Sequence, residues 1–211
     1  PILVALFTLS RVKEPPRWER GHAGPRSHPL RMIFSGPYLK RTIVNSALVS
    51  VAIIGLWAGT VYEPTALLAL AKNAGFTPVQ GTRIASLGTA ILSVGTILGC
   101  LLVPVLAEKF GRKATLALYF TGMAVSILLA FGWAFHLKDG LVPFITVLFF
   151  LGLAGGNFAI FSLWLPEQYN TQMRATAFAF CTSFGRFLGA GANFAIAALV
   201  AWTGSLGYAV A

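Results

Sequence analysis

One arginine, Arg186, stands near the middle of the otherwise apolar stretch Ala175 to Trp202. That stretch reads as a membrane-spanning helix, which puts Arg186 roughly 15 Å from either water surface at about 1.5 Å per residue. An arginine so placed costs about 2.5 to 3.5 kcal/mol even on lenient insertion scales, and it normally faces a partner or a water-filled cavity. Its permanently charged guanidinium suits a carboxylate, which it holds by two parallel hydrogen bonds in a low-dielectric cavity. Two readings follow: Arg186 meets an organic anion, or it forms a fixed ion pair with an acid outside this chain.

Other polar groups join it near mid-membrane. Asn193 lies seven residues on from Arg186, about 20° around the helix, and Thr182 and Ser183 sit one turn below on much the same face. Asn157, beside Gly155 and Gly156, and Asn45 are the remaining candidates for contact with a small solute. For Asn157 an interhelical hydrogen bond is an equal reading, and Trp164 reads as an interfacial anchor. Glu63, followed by Pro64, lies near the outer end and reads as a solvated rim residue rather than as a proton carrier. No acid is read deep in any span, so a proton-titrating carboxylate is expected outside this chain.

The elements that position these groups follow from composition. The 211 residues are 56% hydrophobic and 10% charged, with a mean hydropathy of +0.76, against about 25% charged residues in a soluble domain. Thr42 to Tyr62, Ile84 to Ala107, Ala114 to Leu137 and Gly140 to Pro166, together with Ala175 to Trp202, are each long enough for a bilayer, which needs about 20 residues. The expectation is an all-α, polytopic transmembrane bundle. Short apolar ends, Pro1 to Ser10 and Gly207 to Ala211, read as truncated helices and the chain as a fragment. No charged segment precedes Pro1, and no signal peptide is read.

Basic residues set the orientation. Arg11 to Arg41 carries eight, Lys109, Arg112 and Lys113 share one turn, and Arg174 opens the last span, whereas the opposite loops hold only Lys72, Arg83 and Lys138. The positive-inside rule makes the richer side cytoplasmic. The net charge of +10 is thereby topological. Nucleic-acid binding is excluded because the charge is divided among three loops, and contact of Arg11 to Arg41 with anionic lipid is expected instead. That segment, with Pro15, Pro16, Pro25, Pro29 and Pro37, reads as a linker.

Small residues recur four apart in Gly55/Gly59, Gly95/Gly99, Gly152/Gly156 and Gly185/Gly189, which lets helices approach closely. Ser86, Thr89, Ser93, Thr96 and Cys100 share one face that either lines a pore or cements a helix contact, with the contact preferred. Cys100 and Cys181 read as small packing residues. His22, His28 and His136 are scattered with no metal-ligand spacing, so no metal, cofactor, catalytic residue or enzyme activity is read.

The turn Leu106-Ala107-Glu108-Lys109-Phe110-Gly111-Arg112-Lys113 resembles the signature loop of the major facilitator superfamily, Gly-x-Leu-x-Asp-Arg-x-Gly-Arg-Lys. It keeps Leu106, Gly111, Arg112 and Lys113, with Pro104 for Gly and Glu108 for Asp, departures usual in the second copy after the eighth helix. Pro166-Glu167-Gln168-Tyr169-Asn170-Thr171-Gln172-Met173-Arg174 is similar to the Glu-x6-Arg loop of the sugar-porter and metabolite:proton symporter branches, with Asn170 where a proline is common. Val12-Lys13-Glu14-Pro15-Pro16-Arg17-Trp18 is similar to the segment after their sixth helix.

The resemblance implies the C-terminal six-helix half of a twelve-helix major facilitator fold. Residues 1–10 would end helix six, 11–41 would form the cytoplasmic central loop, and 42–211 would supply helices seven to eleven and the start of twelve. It implies secondary transport of a small organic solute by alternating access in a cell membrane, plasma or bacterial inner, with proton coupling expected and the N-terminal half as partner. Together with Arg186 it points to a carboxylate or sugar acid. Uniport, exchange and a channel stay open as alternatives. Glu108 and Glu167, set among Arg112, Lys113 and Arg174 at the cytoplasmic ends, read as a gate whose ion pairs part when the protein opens inward, or else as solvated topogenic charges.

Overall fold

A computed structural model describes Phe7, Arg11 and residues 28–211. The reading of residues 1–10 as a helix end and the motif Val12 to Trp18 fall outside the described residues, apart from Phe7 and Arg11. In order, the chain forms α1 (Pro29–Ile33), α2 (Gly36–Asn73), α3 (Pro78–Phe110), α4 (Arg112–Ile127), α5 (Leu141–Gly155), α6 (Asn157–Glu167), α7 (Arg174–Thr203) and α8 (Leu206–Val210). Among the described residues, five helical runs are long and apolar enough to cross a membrane: Gly36–Asn73, Pro78–Phe110, Arg112–His136, Leu141–Glu167 and Arg174–Thr203. The protein is an all-α helical bundle of membrane-spanning type.

Local sequence sets the ends. At the start of α3, Thr77 and Gln80 form a reciprocal capping box, with Pro78 in the first turn, so two otherwise unpaired N–H groups are satisfied. Gly111 joins α3 to α4 at φ +82°, a conformation open to glycine because it has no Cβ, and the tight turn expected there is present. The first span exceeds its apolar run at both ends. It begins at Gly36, within the stretch read as connector, and continues through Glu63 and Pro64 to Asn73.

Glycines bring main chain onto main chain between the second and fourth spans. A methyl group on Gly152 would collide with the Leu92 carbonyl, one on Gly99 with the Leu153 carbonyl, and one on Gly156 would lie 2.5 Å from the Gly99 carbonyl carbon. Gly185 and Gly189 instead make room on α7 for the side chains of Val49, Ile53 and Trp57 of α2. Close packing of small residues is thus the role of these pairs. The fourth span is interrupted at Gly156, where α5 passes to α6. The third span ends in a wider π-helical turn, Leu128–Trp133, followed by a short 3-10 turn.

Two apolar cores are stacked along the bundle. One, toward the Asn73 end of α2, gathers Leu67, Leu92, Phe131, Phe144, Leu148 and Leu151. The other, toward the basic end, gathers Val49, Ile53, Tyr119, Ile160, Phe161 and Leu165. The last span is covered least by the rest of the chain: 17% of its most apolar stretch is buried, against 56% in the fourth span.

Candidate functional site

The groups expected to matter fall in three places, and each is governed by the helix that carries it. At the basic end, Arg112 opens α4 directly after the Gly111 turn, and Glu167 closes α6. Their side chains meet in an ion pair of 2.6 Å between guanidinium and carboxylate, each about half exposed. This pair ties the third span to the fourth. Glu108 and Lys113 are exposed beside it and make no ion pair among the described residues. Arg174 does not reach Glu167. Its Nε donates to the Tyr169 carbonyl at 2.9 Å, which closes the 169–174 loop on itself.

The cleft beside the pair, about 680 Å³, is lined by Pro104, Glu108, Arg112 and Ser162 among others. It is open to the surface, so the charges on its rim remain hydrated. An exposed pair of this kind contributes about 0 to 1 kcal/mol.

The same loop holds a polar network that the sequence reading missed. The Asn45 and Gln168 side-chain amides bond reciprocally at 3.3 and 3.2 Å, and Asn45 Nδ2 also donates to the Tyr169 hydroxyl at 3.3 Å. Thr42 lies 3.1 Å from that hydroxyl and donates to the Ile33 carbonyl at 2.7 Å. Arg41 donates to the Gln168 carbonyl at 3.1 Å, and the Tyr38 and Tyr169 rings stack at 6.0 Å. Asn45, expected to contact solute, is therefore fully engaged in holding α2 to the loop after α6. The usable signal was Arg41, Thr42 and Asn45 at helical spacing, opposite two amide and phenol side chains within the Glu-x6-Arg loop.

The mid-span groups are placed differently from one another. Arg186 is exposed on α7 and has no hydrogen bond or ion pair among the described residues. Ser183, one turn toward the basic end, is exposed as well, while Thr182 turns back to the Phe178 carbonyl at 2.7 Å. Asn193 is half-buried: its carbonyl accepts the Tyr62 hydroxyl at 2.8 Å, and its side-chain oxygen is buried with no partner among the described residues. Asn157 is fully buried between spans, its Nδ2 3.6 Å from the Met123 sulfur and its Oδ1 without a partner among the described residues. Arg186 and Asn193 share a helix but not an environment, and Asn157 lies in the interior.

Two further expectations change. Glu63 is not a solvated rim residue: it is 1% exposed, because α2 continues past it and turns it onto α3. The hydroxyl face of α3 forms the expected helix contact only in part: Thr89 bonds the Glu63 carboxyl of α2 at 3.2 and 3.1 Å and Cys100 Sγ lies 3.9 Å from the Gly156 carbonyl, while the closest approach falls to the glycines beside them. Ser86, Ser93 and Thr96 donate to carbonyls of their own helix at 3.0, 2.8 and 3.0 Å, and Ser86, Thr89 and Ser93 are exposed. Among the described residues no group of three His, Cys, Asp or Glu side chains is gathered for a metal ion.

Comparison with known proteins agrees with this architecture. The chain is 27% identical over 199 residues to a protein of Cupriavidus pinatubonensis named "Probable 4-methylmuconolactone transporter", covering 90% of this chain and 42% of that protein. It is 27% identical over 188 residues to a Bacillus subtilis protein provisionally named a niacin/nicotinamide transporter, covering 88% and 44%. It is 31% identical over 152 residues to plastidic glucose transporter 4 of Arabidopsis thaliana, covering 70% and 26%. The chain thus spans less than half the length of the curated relatives it matches. No family pattern and no solved structure matches it. Five spanning helices, the Gly111-Arg112-Lys113 turn and relatives named as transporters make this chain a relative of membrane solute transporters, of the kind that resembles the major facilitator superfamily.

Proposed function

We propose that the chain is the C-terminal half of a twelve-helix secondary transporter that moves a small organic carboxylate or sugar acid by alternating access, coupled to protons. In this reading residues 1–10 end helix six, 11–41 form the cytoplasmic central loop, and 42–211 are the transmembrane half that rocks against the N-terminal half around a midplane site. The membrane is the plasma or bacterial inner membrane. Arg186 carries the reading: a guanidinium mid-span, uncovered and unpaired among the described residues, needs an anion or water beside it. Ser183 and the half-buried Asn193 extend the polar stripe on the same helix. The Arg112–Glu167 pair and the Asn45–Gln168 network hold the basic ends of the spans together, as a transporter closed on that side requires.

The test uses the complete transporter in proteoliposomes. Arg186→Gln loses carboxylate binding by about 2 to 5 kcal/mol if its charge meets the substrate, with insertion normal. Unchanged affinity for nicotinate removes the substrate role and leaves the fixed ion pair. Uniport of an uncharged solute is the second reading, favoured by relatives named for glucose. Glucose uptake indifferent to pH and to Arg186→Gln would establish it in place of the first.

A further inference from the structure

The carboxyl group of Glu63 lies inside the bundle, 1% exposed, over Gly88 of α3. A methyl group on Gly88 would lie 3.0 Å from Glu63 Oε1 and 3.4 Å from Leu148, and would collide with Leu67, so the carboxyl and these two leucines crowd around the same glycine. An unpaired carboxylate is costly in such a place.

No charged group answers it among the described residues. α5, which packs against this part of the bundle, has no titratable side chain. On α3, Arg83 is exposed six residues before Thr89. On α2, the Tyr62 hydroxyl is given to the Asn193 carbonyl and Lys72 is exposed. On α7, Arg186 is exposed. Beyond α4, the His136 ring lies against Tyr208 of α8, and the Tyr119 hydroxyl is bound to the Gly99 carbonyl at 2.6 Å. The other charges of α3, α4, α6 and α7 stand at the basic end. None forms a hydrogen bond or ion pair with Glu63.

Its one hydrogen-bond partner among the described residues is Thr89. Thr89 Oγ1 lies 3.2 and 3.1 Å from the two carboxyl oxygens and 3.1 Å from the Ala85 carbonyl. A hydroxyl has one proton to give. When Glu63 is neutral, its O–H donates to Thr89 Oγ1, and Thr89 donates to the Ala85 carbonyl as Ser86 and Ser93 do to theirs. When Glu63 is ionised, Thr89 turns its proton onto the carboxylate. The two states differ by one proton and the rotation of one O–H bond. Thr89 is itself exposed, so it joins the buried carboxyl to the outer surface of α3.

We propose that Glu63 and Thr89 form a proton-binding site in this half of the protein. A proton arriving on the exposed face of α3 bonds to Thr89 Oγ1 as that oxygen releases its own proton to a Glu63 oxygen, which leaves a hydroxyl and a neutral carboxyl. Release runs in reverse. The site rests on the carrier reading above for its use in coupling, and on its own geometry for its existence.

The complete transporter in lipid decides both separately. Infrared difference spectra through a pH titration are expected to show a protonated-carboxyl C=O band that Glu63→Gln removes and Thr89→Val shifts. If no band depends on Glu63, or Thr89→Val leaves it unmoved, the site is wrong. In proteoliposomes a one-proton carrier accumulates nicotinate about tenfold per unit of pH gradient. Glu63→Gln is expected to keep nicotinate counterflow, which shows that it is folded, and to lose gradient-driven accumulation. Undiminished accumulation in Glu63→Gln overturns the coupling role. Absence of counterflow in the unmodified protein overturns the carrier reading for this acid, and the infrared titration then still decides the site.

Discussion

Arg112 and Glu167 show what one residue does at the end of a span. Their pair is short, 2.6 Å, yet both side chains are more than two-fifths exposed, and water screens most of the attraction. A double-mutant cycle, Arg112→Ala with Glu167→Ala, should give a coupling of about 0 to 1 kcal/mol. A value near 3 kcal/mol would mean that the cleft beside them is dry. In the proposed carrier this pair is a latch weak enough to break in each transport cycle. Glu167→Gln in the complete transporter should shift the balance of states toward opening at the basic end, read by labelling of a cysteine introduced at Ser162, which lines the cleft. Unchanged labelling would reduce both charges to topogenic markers.

At the scale of helices, the second and fourth spans depend on Gly95, Gly99, Gly152 and Gly156. Gly152→Leu drives a side chain into the Leu92 carbonyl, and overpacking of this kind costs about 1 to 3 kcal/mol or more. The expected readout is a lower melting temperature in detergent and greater sensitivity to proteolysis. Gly191→Leu, at a position with open space, should leave both unchanged. The five spans and these glycine contacts were legible in the sequence because spanning length and four-residue spacing are local properties. The start of the first span, at Gly36, and the burial of Glu63 within it were not. Hydropathy falls at Glu63-Pro64, but the backbone hydrogen bonds continue, and what buries Glu63 is α3, which no property of the segment itself reveals. The break at Gly156 was equally hidden, since two adjacent glycines fit a helix contact as well as an interruption.

Across the whole molecule, the polar groups sort by which ones the fold itself satisfies. Asn45 finds its partners 123 and 124 residues away, a pairing invisible to any reading of spacing along one helix. Arg186, by contrast, has no partner among the described residues, and its assignment to a substrate anion rests on the cost of a mid-membrane charge. The Asn45 network clamps the 168–174 loop to the first span, and Asn45→Ala together with Gln168→Ala should loosen it. Hydrogen exchange should rise in the 168–174 loop and stay unchanged around Leu148, whose core lies nearer the other end. Faster exchange at both ends would mean that the two cores open as one unit.

The glycine seam between the second and fourth spans bears on how such a protein tolerates change. Where main-chain atoms meet main-chain atoms, the alignment of two helices is held by chemistry common to every residue, and the outward positions are released from that duty. Ile97, Leu101, Val105 and Phe150 all lie on the uncovered side of that pair. They can drift among apolar types with the membrane they inhabit, while the seam keeps its register. Relatives that share little more than a quarter of their residues with this chain are the outcome expected of such a division of labour.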